Sequence, residues 1–283
     1  MGPIAAKLVE SIGRLRDRKI ARIAEARAAQ QEAARILSAT ASLRSLEALD
    51  PAHGSYAAAQ NLTSVLSELV TQLPAMKPLV KVIGPAEDEY MPGGPPMSPI
   101  TTSFFTCWAF FDACVGARRE TIATCLLAIA DEVGMAPELA GLIEKMQRSR
   151  MGLHLCEGRR DGLAVLRDVT GGESVAAVAA SGYEGRKGEL WYDRVLPPPA
   201  PHLDRHVVFT TPYISVEPGL AEWREYIKRV RDPLDEHFKY GPNPRYWPEF
   251  VFEAYSAHDP RGGAIYLAGL PDRPETRPHS SDR

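Results

Sequence analysis

The chain has 283 residues, of which 45% are hydrophobic and 24% charged, and these values exclude a wholly disordered protein. Its formal net charge of −3 gives no global field that would attract nucleic acid or an anionic membrane, so such binding would need a local patch. A chain of this length predicts more than one domain.

Residues 1–49 predict a long N-terminal helix, or two abutting helices, because good helix formers dominate and no proline follows Pro3. Nine cationic side chains against five anionic ones give this segment a net charge of +4. Within residues 7–27 we identify Arg14, Arg18 and Arg22 as candidate contacts to a nucleic-acid backbone. The alternative is a solvated helix face with ion pairs between neighbouring turns.

The first residues alternate apolar and charged positions and lack the continuous apolar stretch of a secretory signal. No apolar run reaches the roughly 20 residues that a membrane-spanning helix needs. We therefore expect a soluble, cytoplasmic protein without membrane association. The four cysteines have no CxxC spacing, so we expect reduced and mostly buried thiols rather than zinc ligands; they are Cys107, Cys114, Cys125 and Cys156.

A second amphipathic helix follows Asp50-Pro51 and ends at Pro74, which completes a first region of residues 1–74. Residues 75–100 are rich in proline and glycine and predict a turning connector, with "LVKVIG" as a possible short strand. The "MPGGPPMSP" sequence indicates a stiff entry into the next helix. The alternative is a polyproline-type ligand for a partner protein.

Residues 101–155 predict a buried helical bundle. Its central helix is apolar on nearly every side, with Phe104, Trp108, Phe111 and Val115 on one face. Two further apolar stripes, one ending at Gly134 and one beginning at Pro137, predict helices that pack around it.

Residues 156–270 predict a small α+β domain, because short β-like runs alternate with turn sequences from about residue 162. We expect an antiparallel sheet of three or four strands, then a helix from about residue 218 to 230, and a last strand in "GAIYLAGL". Residues 271–283 have almost no apolar content and predict a disordered tail. The predicted fold class is therefore α+β, with a mainly helical N-terminal domain before the small sheet domain.

Basic and aromatic residues are interleaved between residues 223 and 247, a composition that suits binding of single-stranded nucleic acid. The candidate residues there are Arg224, Lys228, Arg229, Arg231, Arg245 and Tyr246. Five acidic residues lie among residues 222–236, so the alternative is a charged surface around a core helix.

Histidines are the remaining candidates for chemistry. His202 and His206 are four residues apart and are weak candidates for metal ligands, because the run follows several prolines and lacks an evident third ligand. An enzyme would use these two, His237 or His258 as an acid or base in a cleft. No stretch spells a catalytic or cofactor motif, and we expect no cofactor.

The sequence therefore favours a non-catalytic interaction or assembly protein. Its helical N-terminal region would bind a protein partner or a second copy of the chain. A nucleic-acid-binding component is the first alternative, and an enzyme of unidentified chemistry is the second.

Overall fold

The computed structural model of the protein describes residues 1–17, 27–28, 31, 34, 47–91, 101–179, 182–215, 219–240 and 265–267. The chain divides into two compact units. The first, called the helical unit, comprises Met1–Met91, Thr106–Arg148 and Pro199–Leu203. The second, called the barrel unit, comprises Pro92–Phe105, Ser149–Pro198 and Asp204–Arg283.

The described residues form eight α-helices and seven strands, so the fold is mixed α+β with a helical N-terminal region, as predicted. The helices are α1 (Pro3–Asp17), α2 (Pro51–Thr71), α3 (Lys77–Tyr90), α4 (Thr102–Cys107), α5 (Ile122–Ala128), α6 (Pro137–Arg148), α7 (Leu220–Arg229) and α8 (Leu234–Tyr240). The strands are β1 (Met151–Arg160), β2 (Leu163–Asp168), β3 (Ser174–Ala179), β4 (Leu190–Leu196), β5 (His206–Val208), β6 (Tyr213–Ser215) and β7 (Ile265–Leu267).

The core of the helical unit is built from α1, the end of α2, the 3-10 turn Pro74–Met76, α3 and α5. Its fully or nearly fully buried side chains include Ile4, Leu8, Met76, Leu79, Leu126 and Ile129. Helix α2 begins where the sequence predicts, because Pro51 has no amide to leave unpaired and the Asp50 carboxylate accepts from the amide of Ala52 at 2.9 Å. Capping therefore fixes where α2 begins, and burial of apolar side chains stabilises the helices of this unit.

A buried carboxylate caps the first helix. Glu120, which is 4% exposed, accepts from the amides of Ile4 and Ala5 at 3.0 and 2.8 Å. Both amides belong to the first turn of α1, where backbone N–H groups lack partners within the helix. Gly2 leaves the space that this carboxylate occupies, since a Cβ at position 2 would overlap it. Sequence-distant residues thus fix the start of α1.

Two stretches of the helical region differ from the sequence-based expectation. Residues 77–90 are helical rather than an extended connector with a strand, because Pro85 lies inside α3 without ending it. The aromatic run is a six-residue helix followed by a π-helical turn, Trp108–Asp112, rather than one continuous helix. Phe104, Trp108 and Phe111 are nevertheless buried, at 1–2% exposure.

The expected long N-terminal helix is described as α1 up to Asp17, and most of residues 18–46 lie outside the described residues, as do 92–100 and 268–283. No helix in the described part of the chain is both long enough and apolar enough to span a bilayer.

Strands β1 to β5 close into a barrel in the order β1-β2-β3-β5-β4. Closure occurs because β1 pairs with β4 through its first half and with β2 through its second half. The β3–β5 pair is parallel and the other neighbouring pairs are antiparallel; β6 pairs with β4, and β7 pairs with β6. The prediction of a small antiparallel sheet is wrong in this respect, because the strands close into a barrel with one parallel pair. A closed barrel leaves fewer unpaired strand edges than an open sheet of four strands.

The interior of the barrel is small and apolar along most of its length. Its buried cluster consists of Cys156, Ala164, Leu166, Ala177, Trp191, Val208 and Ile214. The register of β1 against β2 shifts between Cys156 and Gly158, and Gly158 takes a φ of +122°, which glycine adopts without strain. This irregularity lets one strand turn from β4 to β2.

Candidate functional site

The structure does not describe all of the basic residues proposed for nucleic-acid binding, and those it describes lie on different helices. Arg14 pairs with Glu10 on α1, whereas Arg18, Arg22, Arg245 and Tyr246 lie outside the described residues. The remaining four candidates are on or just after α7.

Helix α7 has the predicted bounds within two residues and carries the predicted basic side chains on its exposed face. Lys228 Nζ lies 2.6 Å from Glu225, and Arg229 Nε donates to the backbone oxygen of Glu225 at 3.2 Å. Arg224 and Arg231 are exposed. Two of these four cationic side chains thus contact one glutamate, which weakens the field that a phosphate backbone would meet.

The aromatic residues of α7 serve packing. Trp223 is 3% exposed and its Nε1 donates to Ser215 Oγ at 3.1 Å. The hydroxyl of Tyr226 lies 2.7 Å from His237 Nε2. Burial lowers the pKa of His237, an effect that the Asp232 carboxylate opposes. The buried ring of Trp223 is therefore not available to stack on a base, as single-strand binding requires.

The two histidines weighed as metal ligands lie in different local structures. His202 is exposed in a turn, whereas His206 begins β5 and is half-buried. Burial lowers the pKa of His206. No group of three or more metal-ligating side chains occurs among the residues that the structure describes. His258 lies outside them.

A buried charged pair inside the barrel joins the two strands that close it. Nδ1 of His154, on β1, lies 2.5 Å from Oδ1 of Asp193, on β4. Asp193 is 0% exposed, and the His154 side chain is 9% exposed. Asp193 Oδ2 is buried and has no hydrogen-bond partner among the described residues. We call this the barrel pair.

Strand register shows that the barrel pair faces inward. His154 is directly opposite Trp191 of β4, and Trp191 belongs to the interior cluster. Directly opposite residues share one face of an antiparallel pair, and so do alternate residues of one strand. Asp193 is therefore also inward, and Gly152 is directly opposite it. A Cβ at position 152 would lie 2.8 Å from Cε1 of His154, so glycine makes room for the imidazole.

A second carboxylate and an arginine surround the barrel pair. Asp168, at the end of β2, is directly opposite His154 and accepts from Nη2 of Arg150 at 2.9 Å. Arg150 also donates to Asp235 and to Thr170, and its guanidinium lies 5.3 Å from the ring centroid of Phe238. Burial alone would raise the pKa of Asp168, but Arg150 and the hydrogen bonds from Thr170 lower it.

The electrostatics of this cluster favour a protonated imidazole. Burial alone would lower the pKa of His154, but the charge and hydrogen bond of Asp193, with a smaller contribution from Asp168, outweigh burial and raise it. Arg150 opposes that rise. The Nε2 atom of His154 lies on the side of the ring away from Asp193, because Nδ1 makes the contact.

The barrel pair resembles part of a catalytic triad in geometry only. A hydrolase triad needs a hydroxyl or thiol that donates to the far imidazole nitrogen. Among the described residues, none is bonded to His154 Nε2. The pair can therefore hold and orient a proton, and Asp193 Oδ2 remains as an acceptor that no described residue uses.

Sequence reasoning missed this cluster because residues 151–155 were assigned to the helical bundle. The available signal was "MGLHLCEGRR", a run without helix-cap residues that precedes the tight turn at Asp161-Gly162. Comparisons with known proteins add no assignment: no protein-family model, curated protein or solved structure matches the chain.

Proposed function

We propose that the protein is a non-catalytic interaction protein that binds another protein chain, a partner or a second copy, through its helical unit. The observation that carries this proposal is a pair of exposed leucines on α2. Leu62 is 44% exposed and Leu69 is 38% exposed, although the opposite side of the same helix is buried. Apolar side chains of this size gain stability when a second surface covers them.

Helical spacing places the two leucines together. They are seven residues, or about two turns, apart, so they lie on one face of α2. Leu66, which is partly buried, lies between them on that face. A row of leucines at this spacing is the pattern by which a helix packs lengthwise against another helix.

The test places lysine at both positions. We expect the Leu62→Lys/Leu69→Lys variant to lose association that the unchanged chain shows in sedimentation velocity, or to lose cross-linking to a partner from a photoreactive residue placed at position 66 in every protein compared. Glu138→Lys, an exposed change on α6, is the matched control and should retain both. Association and cross-linking that are identical in all three proteins, or missing from the unchanged chain, would contradict the proposal.

Nucleic-acid binding is a second candidate, supported by the topology of the barrel. A five-stranded barrel with β1 paired to both β2 and β4, and β3 parallel to β5, has the strand order of the OB-fold, which binds oligonucleotides or oligosaccharides in many proteins. The fold alone does not assign the function.

The outer face of β2 and β3 argues against the usual OB-type contact. Its outward residues are Leu163, Val165, Arg167, Ser174, Ala176 and Val178. None is aromatic, and Arg167 Nε lies 2.7 Å from Glu157. A nucleic acid would therefore contact the basic face of α7 instead. We expect such binding to weaken steeply with salt, and Arg224→Ala to lower the salt slope by about 1; a labelled single strand that stays unbound at low salt would exclude it.

A further inference from the structure

Helix α2 is nearly free of charge along its whole length. Among its 21 residues, Pro51–Thr71, Glu68 is the one acidic residue and no lysine or arginine occurs. The other described helices of ten or more residues are shorter, yet each carries four or five charged side chains. A helix face that stays in water normally carries charged and polar residues. The exposed side of α2 therefore has the composition of a covered surface.

The apolar part of this side is compact. The opposite side of α2 packs against α5 and α6 of the same unit. Leu62 and Leu69 are 44% and 38% exposed, and the partly buried Leu66 lies between them. The three leucines span about two turns, or roughly 10 Å of the helix. Glu68 is about 100° around the helix axis from Leu69, so its charge lies beside the leucines and not among them.

A charged partner surface does not suit this face. Covering the leucines with ionised side chains would remove those charges from water, and α2 has no counter-charge at the leucines to pair with them. His53 does not supply one, because burial lowers its pKa, an effect that the Asp50 carboxylate opposes. The occupant that fits is a second uncharged helix face with leucines at the same spacing. A second copy of α2 is such a face, and two-fold symmetric dimers join self-complementary surfaces of this kind.

We propose that the protein forms a two-fold symmetric dimer in which α2 packs antiparallel against α2 of a second copy. This inference rests on the proposed function and names the partner at the same surface. With the two-fold axis between positions 65 and 66, Leu62 lies level with Leu69 of the second copy, and the reverse contact follows by symmetry. The antiparallel arrangement places the positive end of each helix dipole beside the negative end of the other, whereas a parallel one would align like ends.

Complementary substitutions test the partner and the orientation together. Leu62→Lys and Leu69→Glu each place a charge against a leucine of an identical copy, so each variant alone should associate at least about tenfold more weakly than the unchanged chain. In an equimolar mixture the new lysine of one variant contacts the new glutamate of the other, and the second contact keeps both leucines. We expect the mixture to form a heterodimer at least about tenfold more stable than either homodimer.

Sedimentation velocity of the full chain measures association, and native mass spectrometry identifies the heterodimer by its mass. The face of one helix is smaller than the about 800 Å² per partner of a standard interface, so the measurements cover concentrations from about 1 to about 200 µM. The matched control mixture is Leu62→Lys with Leu62→Glu, which brings the two charges together only in a parallel dimer and should not recover association. Circular dichroism and the urea midpoint check that each variant keeps the fold.

Three results would overturn the proposal. One is an unchanged chain that stays monomeric at every concentration. Another is recovery in the control mixture but not in the mixture of Leu62→Lys with Leu69→Glu, which would show a parallel arrangement. The third is a dimer that neither substitution weakens, because its interface would then lie elsewhere.

A photoreactive residue at position 66 distinguishes failure of this inference from failure of the proposed function. If the chain is monomeric but cross-links in its native cell to a different protein, and Leu62→Lys/Leu69→Lys abolishes that product, the dimer is excluded and the proposed function stands. If the monomer cross-links only within its own copy, or to no other chain, both are contradicted. A cross-linked dimer that the same double variant abolishes supports both.

Discussion

Replacing Asp193 by asparagine should destabilise the barrel in a strongly pH-dependent manner. In the native protein the carboxylate raises the pKa of His154, which burial alone would lower from 6.5. Asparagine keeps the shape and one acceptor but removes the charge, so His154 becomes a buried group that resists protonation. The charge-assisted hydrogen bond is replaced by a neutral one.

The size of the effect follows from the 2.5 Å contact and full burial of Asp193. Hydrogen bonds to charged groups contribute about 1.5–3 kcal/mol, and neutral ones about 1 kcal/mol. Burial adds the cost of charging His154 without a partner in acid. We expect Asp193→Asn to lower the free energy of unfolding by about 3 kcal/mol at pH 5.5 and by about 1 kcal/mol or less in alkali.

The sign follows from linkage. A histidine whose folded pKa is raised contributes stability that is fully present below its unfolded value of 6.5 and is lost as pH rises through the folded value. The difference between native protein and variant must therefore shrink from pH 6.5 upward. This contribution to stability decreases as pH rises, whereas the contribution of carboxylates that are paired in the folded state increases with pH.

Urea unfolding followed by tryptophan fluorescence measures this difference, because Trp191 lies inside the barrel. The Asp204→Asn control, at a side chain that is 91% exposed, should stay within about 0.5 kcal/mol at every pH. A loss for Asp193→Asn that is the same at pH 5.5 and pH 9 would refute the ion-pair argument. A loss that grows with pH would show that Asp193 does not favour protonation of His154.

Three further substitutions test the packing described above. Glu120→Gln removes the charge at the first turn of α1 and should lower the unfolding free energy by about 1–2 kcal/mol in chemical denaturation, whereas no loss would exclude a capping role. Gly185→Ala should lower the unfolding free energy by about 2–4 kcal/mol, because its φ is +73° and a Cβ would overlap Trp191. The control Gly188→Ala, at φ +93° with open space around it, should lower it by about 1–2 kcal/mol. Equal losses would contradict the overlap. Arg150→Lys should lower the midpoint of thermal unfolding by several degrees, since one ammonium cannot replace contacts to two carboxylates and Thr170, and an unchanged midpoint would show those contacts to be dispensable.

Periodicity predicts those elements whose burial is one-sided. Helix α7 and strands β2 and β3 are found where the sequence indicated them, because turn residues bound them and apolar residues repeat with the expected period. Strand β4 is also found there, but its flanking turn sequences indicated it, since its first five residues are all buried. Strand β1 breaks this pattern, since its first four residues are all buried. A strand covered on both faces has no polar alternation and is indistinguishable by period from a buried helix.

The barrel pair depends on pairing between distant strands, which local patterns do not encode. His154 and Asp193 are 39 residues apart, and each taken alone reads as an isolated polar residue in an apolar run. Their contact follows only when β1 lies antiparallel to β4 with Gly152 opposite Asp193. A one-residue slip of β1 against β4 would turn His154 to the other face of the sheet and separate it from Asp193. The site therefore could not be predicted without the topology.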